Sequence, residues 1–186
     1  HVDDIIARAK KSTFQCLQEH SCTKSQIAKI RGLLSKAGLA GIFGPIDPAA
    51  RHNLAGVAMI GKQPHRVISI EPKTQAFKEA VDTGRALHVA ITMGNGHILD
   101  VYIIYGFTGG HGSKPQAHKT NALILAMKEE MAEHPRGPTC LMGDINADPE
   151  DIKSLQLMLD DEEWTDLGAK ADRWQQPVKE YTCSMA

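Results

Sequence analysis

The feature that most constrains the fold is a pair of neighbouring runs rich in β-branched and aromatic residues, at positions 87–93 and 98–105. Between them, residues 94–96 have the sequence Gly-Asn-Gly. Asn-Gly favours a tight hairpin turn because both residues tolerate positive φ. The pattern therefore predicts an antiparallel hairpin in the middle of the chain, around which the remaining elements must pack.

The rest of the chain alternates between helical and extended patterns. Apolar residues at helical spacing predict helices over residues 1–11, 25–37, 117–134 and about 151–159. Apolar or alternating runs predict strands over residues 13–18, 54–60, 66–70 and 139–142, and extended pieces over 164–167 and 181–183. Residues 41–48, rich in glycine and proline, indicate a loop or a short strand with turns. A hairpin among alternating strands and helices requires mixed sheets flanked by helices, so the predicted class is α+β.

Length and composition indicate one domain over residues 1–186. The hydrophobic fraction is 42% and the charged fraction 23%, which are ordinary values for a globular protein. No apolar run approaches the ~18 residues of a membrane span, so we expect no membrane interaction. Because His1 is not a natural start, the absence of a targeting segment says little about the parent protein.

The formal net charge of −1 excludes a strongly basic protein that would hold nucleic acid through its overall field. DNA would instead have to be bound by a local patch. Arg51 is our candidate for substrate binding, and Lys62, Arg66 and Lys73 would have to gather beside it on the same face. The alternative is that these charges lie on an ordinary solvated surface.

The four cysteines show no C-x-x-C spacing of the kind found in zinc or redox sites. Cys16 and Cys140 lie in apolar runs, which is typical of buried free thiols. Free thiols favour a reducing, intracellular compartment over secretion.

The histidines are scattered along the sequence. His88, His97, His111, His118 and His134 include no H-x-x-x-H or H-E-x-x-H pair, so we expect most of them at the surface and do not expect zinc.

Residues 143–148, with the sequence Gly-Asp-Ile-Asn-Ala-Asp, carry the strongest indication of chemistry. A calcium-binding EF-hand is excluded because its required Gly and Glu are replaced by Pro149 and Leu155. In an extended chain Asp144 and Asn146 would point the same way, and Gly143 would leave room for a ligand. The carboxylate could activate a water while the amide donates to a phosphate oxygen. The alternative is an ordinary turn followed by a helix N-cap.

Three further residues are candidates for the same site. Glu19 follows a predicted strand, and one carboxylate is enough to hold Mg²⁺. Tyr105 ends the second hairpin strand, and its hydroxyl could hydrogen-bond a phosphate, with Thr108 in reach of the same place. The glycine-rich loop that follows Tyr105, at residues 106–115, has no phosphate-loop motif. Each residue alone is better explained as an ordinary side chain at a strand end.

Taken in order, these segments resemble the endonuclease/exonuclease/phosphatase superfamily. The segments are residues 18–19 (Gln-Glu), 54–60, 101–106, 143–147 (Gly-Asp-Ile-Asn-Ala) and 164–167 (Trp-Thr-Asp-Leu). The resemblance implies a four-layer α/β/β/α sandwich of two mixed sheets and a metal-dependent phosphodiesterase, with Mg²⁺ or Mn²⁺ as cofactor and DNA or another phosphate ester as substrate.

The resemblance also implies a role for each matching residue. Glu19 corresponds to the metal-binding glutamate, and Tyr105 to the tyrosine that contacts the scissile phosphate. Asp144 corresponds to the aspartate that orients the attacking water or helps to protonate the leaving group. Asn146 corresponds to the asparagine that stabilises the transition state.

The chain also departs from the family pattern. The family's first strand, with its metal-site Asn, and the final strands, with their catalytic His, are absent from these 186 residues, and Ile103 and Thr108 replace two family asparagines. The chain is then either a piece of a longer polypeptide or a degenerate relative that serves as a structural or interaction subunit of a larger assembly. We expect it to be weakly active or inactive by itself.

Overall fold

A computed structural model describes residues 2–46, 56–62, 66–93, 96–135, 137–161 and 164–175. The strands are β1 (Phe14–Leu17), β2 (Leu39–Phe43), β3 (Ala58–Lys62), β4 (Arg66–Ser69), β5 (Ala86–Thr92), β6 (Ile98–Tyr105) and β7 (Thr139–Asp144). The helices are α1 (Val2–Ala9), α2 (Lys24–Lys36), α3 (Gln75–Asp82), α4 (Lys114–Ala132) and α5 (Lys153–Asp160), with 3₁₀ turns at Pro149–Asp151 and Ala171–Trp174.

The predicted hairpin is confirmed and forms the centre of the larger sheet, whose strand order is β4-β5-β6-β7. β5 and β6 are antiparallel, with Ala86 opposite Ile104 and Thr92 opposite Ile98. β7 runs parallel to β6, and α4 forms the crossover that a parallel connection requires. The smaller sheet has the order β1-β3-β2, and both of its strand pairs are antiparallel.

Side-chain alternation along the strands produces four layers. On β3, Met59 faces the core between the two sheets, whereas Ile60 packs beneath α1 and α2. On β6, Ile103 faces that same inter-sheet core, whereas Ile104 packs beneath α3, α4 and α5. The predicted α/β/β/α sandwich is therefore confirmed.

Several elements differ from the sequence prediction. Of the loop and the short strand predicted from residue 41, the strand is present, but it starts earlier, at Leu39, and ends at Phe43. α3 was not predicted; Thr74 caps it by accepting from the Phe77 N–H, and Phe77 and Val81 are buried beneath it. Residues 167–170 form a turn and a 3₁₀ turn follows, where an extended piece and a loop were expected. The strand predicted at residues 181–183 lies outside the described residues.

Cys16 and Cys140 are free thiols, as predicted, and so is Cys22, while Cys183 lies outside the described residues. Cys16 and Cys140 contribute to the core between the sheets but are half-buried there, not fully buried as expected. Burial, reinforced by the neighbouring Cys140, raises the pKa of the Cys16 thiol to about 12.

Among the described helices, none combines the length and the apolar character needed to cross a bilayer.

Candidate active site

The strand ends that carry the candidate residues meet at one end of the sandwich. In the parallel β6–β7 pair, Tyr105 lies opposite Asp144. The smaller sheet is aligned with this pair. The Cys16 sulfur lies 3.5 Å from the Met142 sulfur, and a Cβ at Gly44, whose N–H donates to Val57 next to β3, would lie 3.7 Å from the Ala86 carbonyl oxygen at the start of β5. Cys16 shortly precedes Glu19, and Met142 shortly precedes Asp144. The end of β1 therefore brings Glu19 to the same end of the molecule as Tyr105 and Asp144.

Tyr105 and Thr108 come together as the sequence predicted. Tyr105 is buried at the end of β6, with 3% of its surface exposed, and its hydroxyl lies 3.1 Å from Oγ1 of Thr108. Thr108 is exposed in the loop that follows. The pair thus places a hydroxyl donor at the edge of the site and a second one in solvent beside it.

Asp144 and Asn146 are adjacent, but not because the chain is extended between them. β7 ends at Asp144, and Asn146 has a positive φ of 54°, a conformation that Asn tolerates better than most residues. The Asn146 N–H donates to Oδ1 of Asp144 at 3.0 Å, and its side-chain amide donates to the Gly106 carbonyl at 3.3 Å. The prediction of an extended segment was wrong; a turn held by the Asp144 carboxylate groups the two side chains.

The glycines around this turn allow neighbouring backbone segments to pack closely. A Cβ at Gly143, where φ is 157°, would lie 2.1 Å from the Ile104 carbonyl oxygen, so the room expected there is filled by β6. A Cβ at Gly106 would lie 1.9 Å from the Ile145 oxygen, and one at Gly110 would lie 2.4 Å from the Asn146 oxygen. The loop after Tyr105 therefore rests directly on the backbone of the Asp144 turn.

The alternative of an ordinary helix cap is only partly met. Asp148 precedes the 3₁₀ turn Pro149–Asp151, but its side chain makes no capping hydrogen bond. Its carboxylate instead lies 2.9 Å from Nδ1 of His111. Asp148 thus links the segment that follows β7 to the loop that contains His111.

Glu19 is exposed just beyond β1, with a positive φ of 52°. Among the described residues its carboxylate has no hydrogen-bond or ion-pair partner, which suits Mg²⁺, a hard cation that keeps several waters and takes few carboxylates. The neighbouring His20 anchors the segment. Its ring packs edge-on against Phe43, with the ring centres 5.4 Å apart, and its backbone N–H donates to the Gly56 carbonyl at 3.2 Å. Burial lowers the pKa of His20.

Two basic residues that sequence reasoning missed lie at this end of the molecule. Arg85 donates to the carbonyls of Tyr105 and Gly106 at 3.2 and 2.9 Å, and its guanidinium lies 4.2 Å from the centre of the Phe107 ring. The ammonium of Lys119, an exposed residue of α4, lies 5.5 Å from the centre of the same ring. The register of the hairpin could have placed Arg85 at the site. Arg85 stands opposite Tyr105, and the Tyr105 N–H donates to the Arg85 carbonyl at 2.8 Å.

The basic residues proposed from sequence do not gather at the site. Lys62 is the last residue of β3. The first residue of β3 is paired with the end of β1 that leads to Glu19, so Lys62 lies at the other end of the sandwich. Arg66 lies opposite Thr92, at the far end of β5. The Lys73 N–H donates to Glu130 near the C-terminal end of α4. These three residues therefore form no basic patch at the site, while Arg51 lies outside the described residues and stays a prediction.

The fold matches those of several solved structures. The catalytic domain of human Nocturnin, solved with a bound sulfate anion, has 18% identity and a TM-score of 0.64, over 97% of this chain and 68% of its own. An AP endonuclease from Archaeoglobus fulgidus has 13% identity and a TM-score of 0.62, over 91% and 68%. An endonuclease/exonuclease/phosphatase from Beutenbergia cavernae has 16% identity and a TM-score of 0.51, over 78% and 42%. No family model and no curated protein matches the sequence.

The chain therefore has the fold of the endonuclease/exonuclease/phosphatase proteins, and the predicted resemblance is confirmed at that level. It spans about two thirds of the Nocturnin domain and of the archaeal endonuclease.

Proposed function

We propose that the chain is a Mg²⁺-dependent phosphodiester hydrolase that acts on DNA or a related nucleic acid as an endonuclease. The observation that carries the proposal is the convergence of Glu19, Tyr105 and the Asp144 turn at one end of a sandwich fold shared with an AP endonuclease. Mn²⁺ has the same preference for oxygen ligands and would serve as a substitute.

The side chains present fit the steps of phosphodiester hydrolysis. The Asp144 carboxylate would orient and deprotonate the attacking water. The Asn146 amide has a second hydrogen beyond the one given to Gly106, which it would donate to a non-bridging phosphate oxygen as charge develops. The Tyr105 hydroxyl would donate to the same phosphoryl group. A metal ion held by Glu19 would supply positive charge against the negative transition state.

Arg85 and Lys119 support a nucleic-acid substrate. Because the net charge is −1, the phosphates of a polynucleotide must be held by local cations, and these two residues place positive charge against the Phe107 ring beside the site. The exposed ammonium of Lys119 would contact a phosphate, and Arg85 would add to the field from its half-buried position.

The test is hydrolysis of an abasic or nicked duplex and of a phosphodiester dye, with and without Mg²⁺. Asp144→Asn keeps a side-chain oxygen for the Asn146 N–H but removes the base, so the rate should fall at least about 100-fold. Asp148→Asn is the matched control, because this carboxylate lies on the same loop but pairs with His111, and the rate should stay within about twofold. Equal rates for wild type and Asp144→Ala would sink the proposal.

A second candidate is a degenerate domain that serves as a structural or interaction subunit of a larger assembly. One observation favours it: the Tyr105 hydroxyl, the Asn146 amide and the Asp144 carboxylate each have an intramolecular hydrogen-bond partner. In that case no substrate would show Mg²⁺-dependent hydrolysis, and Asp144→Ala would lower only the stability of the fold.

A further inference from the structure

A buried polar cluster lies under the C-terminal end of α4, far from the candidate active site. His88 is 1% exposed and Glu130 is 0% exposed, and the His134 side chain is 13% exposed. His97, His111 and His118 are exposed, as expected for most of the histidines, whereas His88 is buried. Three ligand atoms, one each from His88, Glu130 and His134, lie within 4.8 Å of one another.

These separations suit a single transition-metal ion. Zinc binds nitrogen and oxygen at about 2.0–2.2 Å in tetrahedral geometry, which places neighbouring ligand atoms roughly 3.4 Å apart. Nε2 of His134 is 2.9 Å from Oε1 of Glu130, and the His88 ring stands edge-on to the His134 ring with their centres 4.8 Å apart. Small side-chain shifts would bring all three ligand atoms to coordination distance.

His88 is oriented as a metal ligand would be. Its Nε2 lies 2.8 Å from Oδ1 of Asp100, the carboxylate–histidine pairing that commonly fixes the ring of a metal-binding histidine. Its Nδ1 is buried and has no hydrogen-bond partner among the described residues. A proton held on Nε2 by Asp100 would leave Nδ1 with a free lone pair, which a bound metal ion would satisfy.

Glu130 is held rigidly as an anion. Its carboxylate accepts from the N–H groups of Lys73 and Thr74 and from the Thr74 hydroxyl, at 2.7–3.1 Å. A charged carboxylate between two imidazoles is a donor set typical of zinc.

We propose that His88, Glu130 and His134 bind one Zn²⁺ ion, with Asp100 positioning His88. The site would tie the end of α4 to the larger sheet and to the segment before α3. Glu130 is 16 residues beyond Lys114, the first residue of α4, which corresponds to roughly 24 Å along the helix. The bound ion would therefore stabilise the fold without taking part in catalysis at the other end of the sandwich.

The proposal is tested by metal binding to the whole chain in excess Mg²⁺, which occupies oxygen-only sites such as the one proposed at Glu19. Equilibrium dialysis with Zn²⁺ should give one ion per chain, and bound Co²⁺ should show the intense visible absorption of tetrahedral coordination. His134→Gln should weaken Zn²⁺ binding at least about tenfold. His118→Gln, an exposed histidine on the same helix, should bind as wild type does.

Thermal unfolding provides a second readout, because an ion that binds only the folded chain raises Tm. Zn²⁺ should raise the Tm of wild type and His118→Gln but not that of His134→Gln. Failure of wild type to bind Zn²⁺, unchanged binding by His134→Gln, or an octahedral Co²⁺ spectrum would each overturn the proposal. The wild-type spectrum decides the matter even where a variant does not fold.

Discussion

The hydroxyl of Tyr105 lies 3.1 Å from Oγ1 of Thr108, and this contact joins the end of β6 to the loop that follows it. The Tyr105 ring belongs to the core between the two sheets, so the position of its hydroxyl is set by packing. Thr108 is exposed, so its own position depends on the loop. The core therefore fixes the Tyr105 hydroxyl beside the exposed hydroxyl of Thr108.

Tyr105→Phe should therefore lower the rate of phosphodiester hydrolysis by about 10–100-fold, the range expected for a lost hydrogen bond to a charged group. Stability should change little, because the ring is retained. Tyr102→Phe is the matched control: it lies on the same strand, faces the other core, and its hydroxyl has no hydrogen-bond partner among the described residues. A rate loss of equal size in both variants would show that Tyr105 acts through the fold alone.

The elements that could be predicted from the sequence are those determined by residues close together in the chain. The hairpin followed from a turn sequence between two β-rich runs, and its register already places Arg85 opposite Tyr105. The residue types identified Asp144 and Asn146 as site candidates, but the extended conformation predicted between them was wrong. α3, by contrast, is short and its buried face consists mainly of Phe77 and Val81, so its helical period is weak until the larger sheet covers it.

The rest depended on contacts between distant parts of the chain. Nothing near Gly143 or Gly106 in the sequence shows that neighbouring backbone fills the space beside them. His88 and His134 are 46 positions apart, and only the packing of α4 on the larger sheet brings them together. Spacing rules detect metal ligands within one element and miss those that two elements share.

Gly106→Ala should destabilise the protein by about 1–3 kcal/mol, because the added Cβ would overlap the Ile145 carbonyl and force the two loops apart. Urea unfolding followed by circular dichroism measures the change. Gly112→Ala, in the same loop with nothing within 4 Å of the added Cβ, should stay within about 0.5 kcal/mol of wild type. Equal stability of the two variants would contradict the direct packing of the loop on the Asp144 turn.

Lys119→Met should weaken DNA binding and reduce the slope of log affinity against log salt by about 1, as expected for the loss of one phosphate contact. Lys62→Met is the control, because Lys62 lies at the opposite end of the sandwich, and both its affinity and its salt slope should match wild type. Fluorescence anisotropy with a labelled duplex over a range of salt concentrations gives both quantities. A larger effect from Lys62 would place the nucleic-acid surface at the other end of the molecule.

Cys16 should resist alkylation at ordinary pH. Its pKa is raised from 9.0 to about 12, chiefly by burial, so at pH 8 its thiolate fraction is about 1,000-fold below that of an unshifted thiol. Labelling with iodoacetamide, followed at the Cys16 peptide by mass spectrometry, should remain slow until the pH is well above 9.0. A labelling midpoint near 9.0 would contradict the inter-sheet position of the thiol.

The same shift predicts how stability changes in alkali. The folded state holds the Cys16 proton more tightly than the unfolded state does, so this contribution is complete below pH 9.0 and is lost as the pH rises toward about 12. Cys16→Ala removes the titrating group, so the free energy of unfolding should fall less steeply over that interval than in wild type, even though the variant starts from a lower value. Parallel pH profiles for the two proteins would show that another group controls alkaline unfolding.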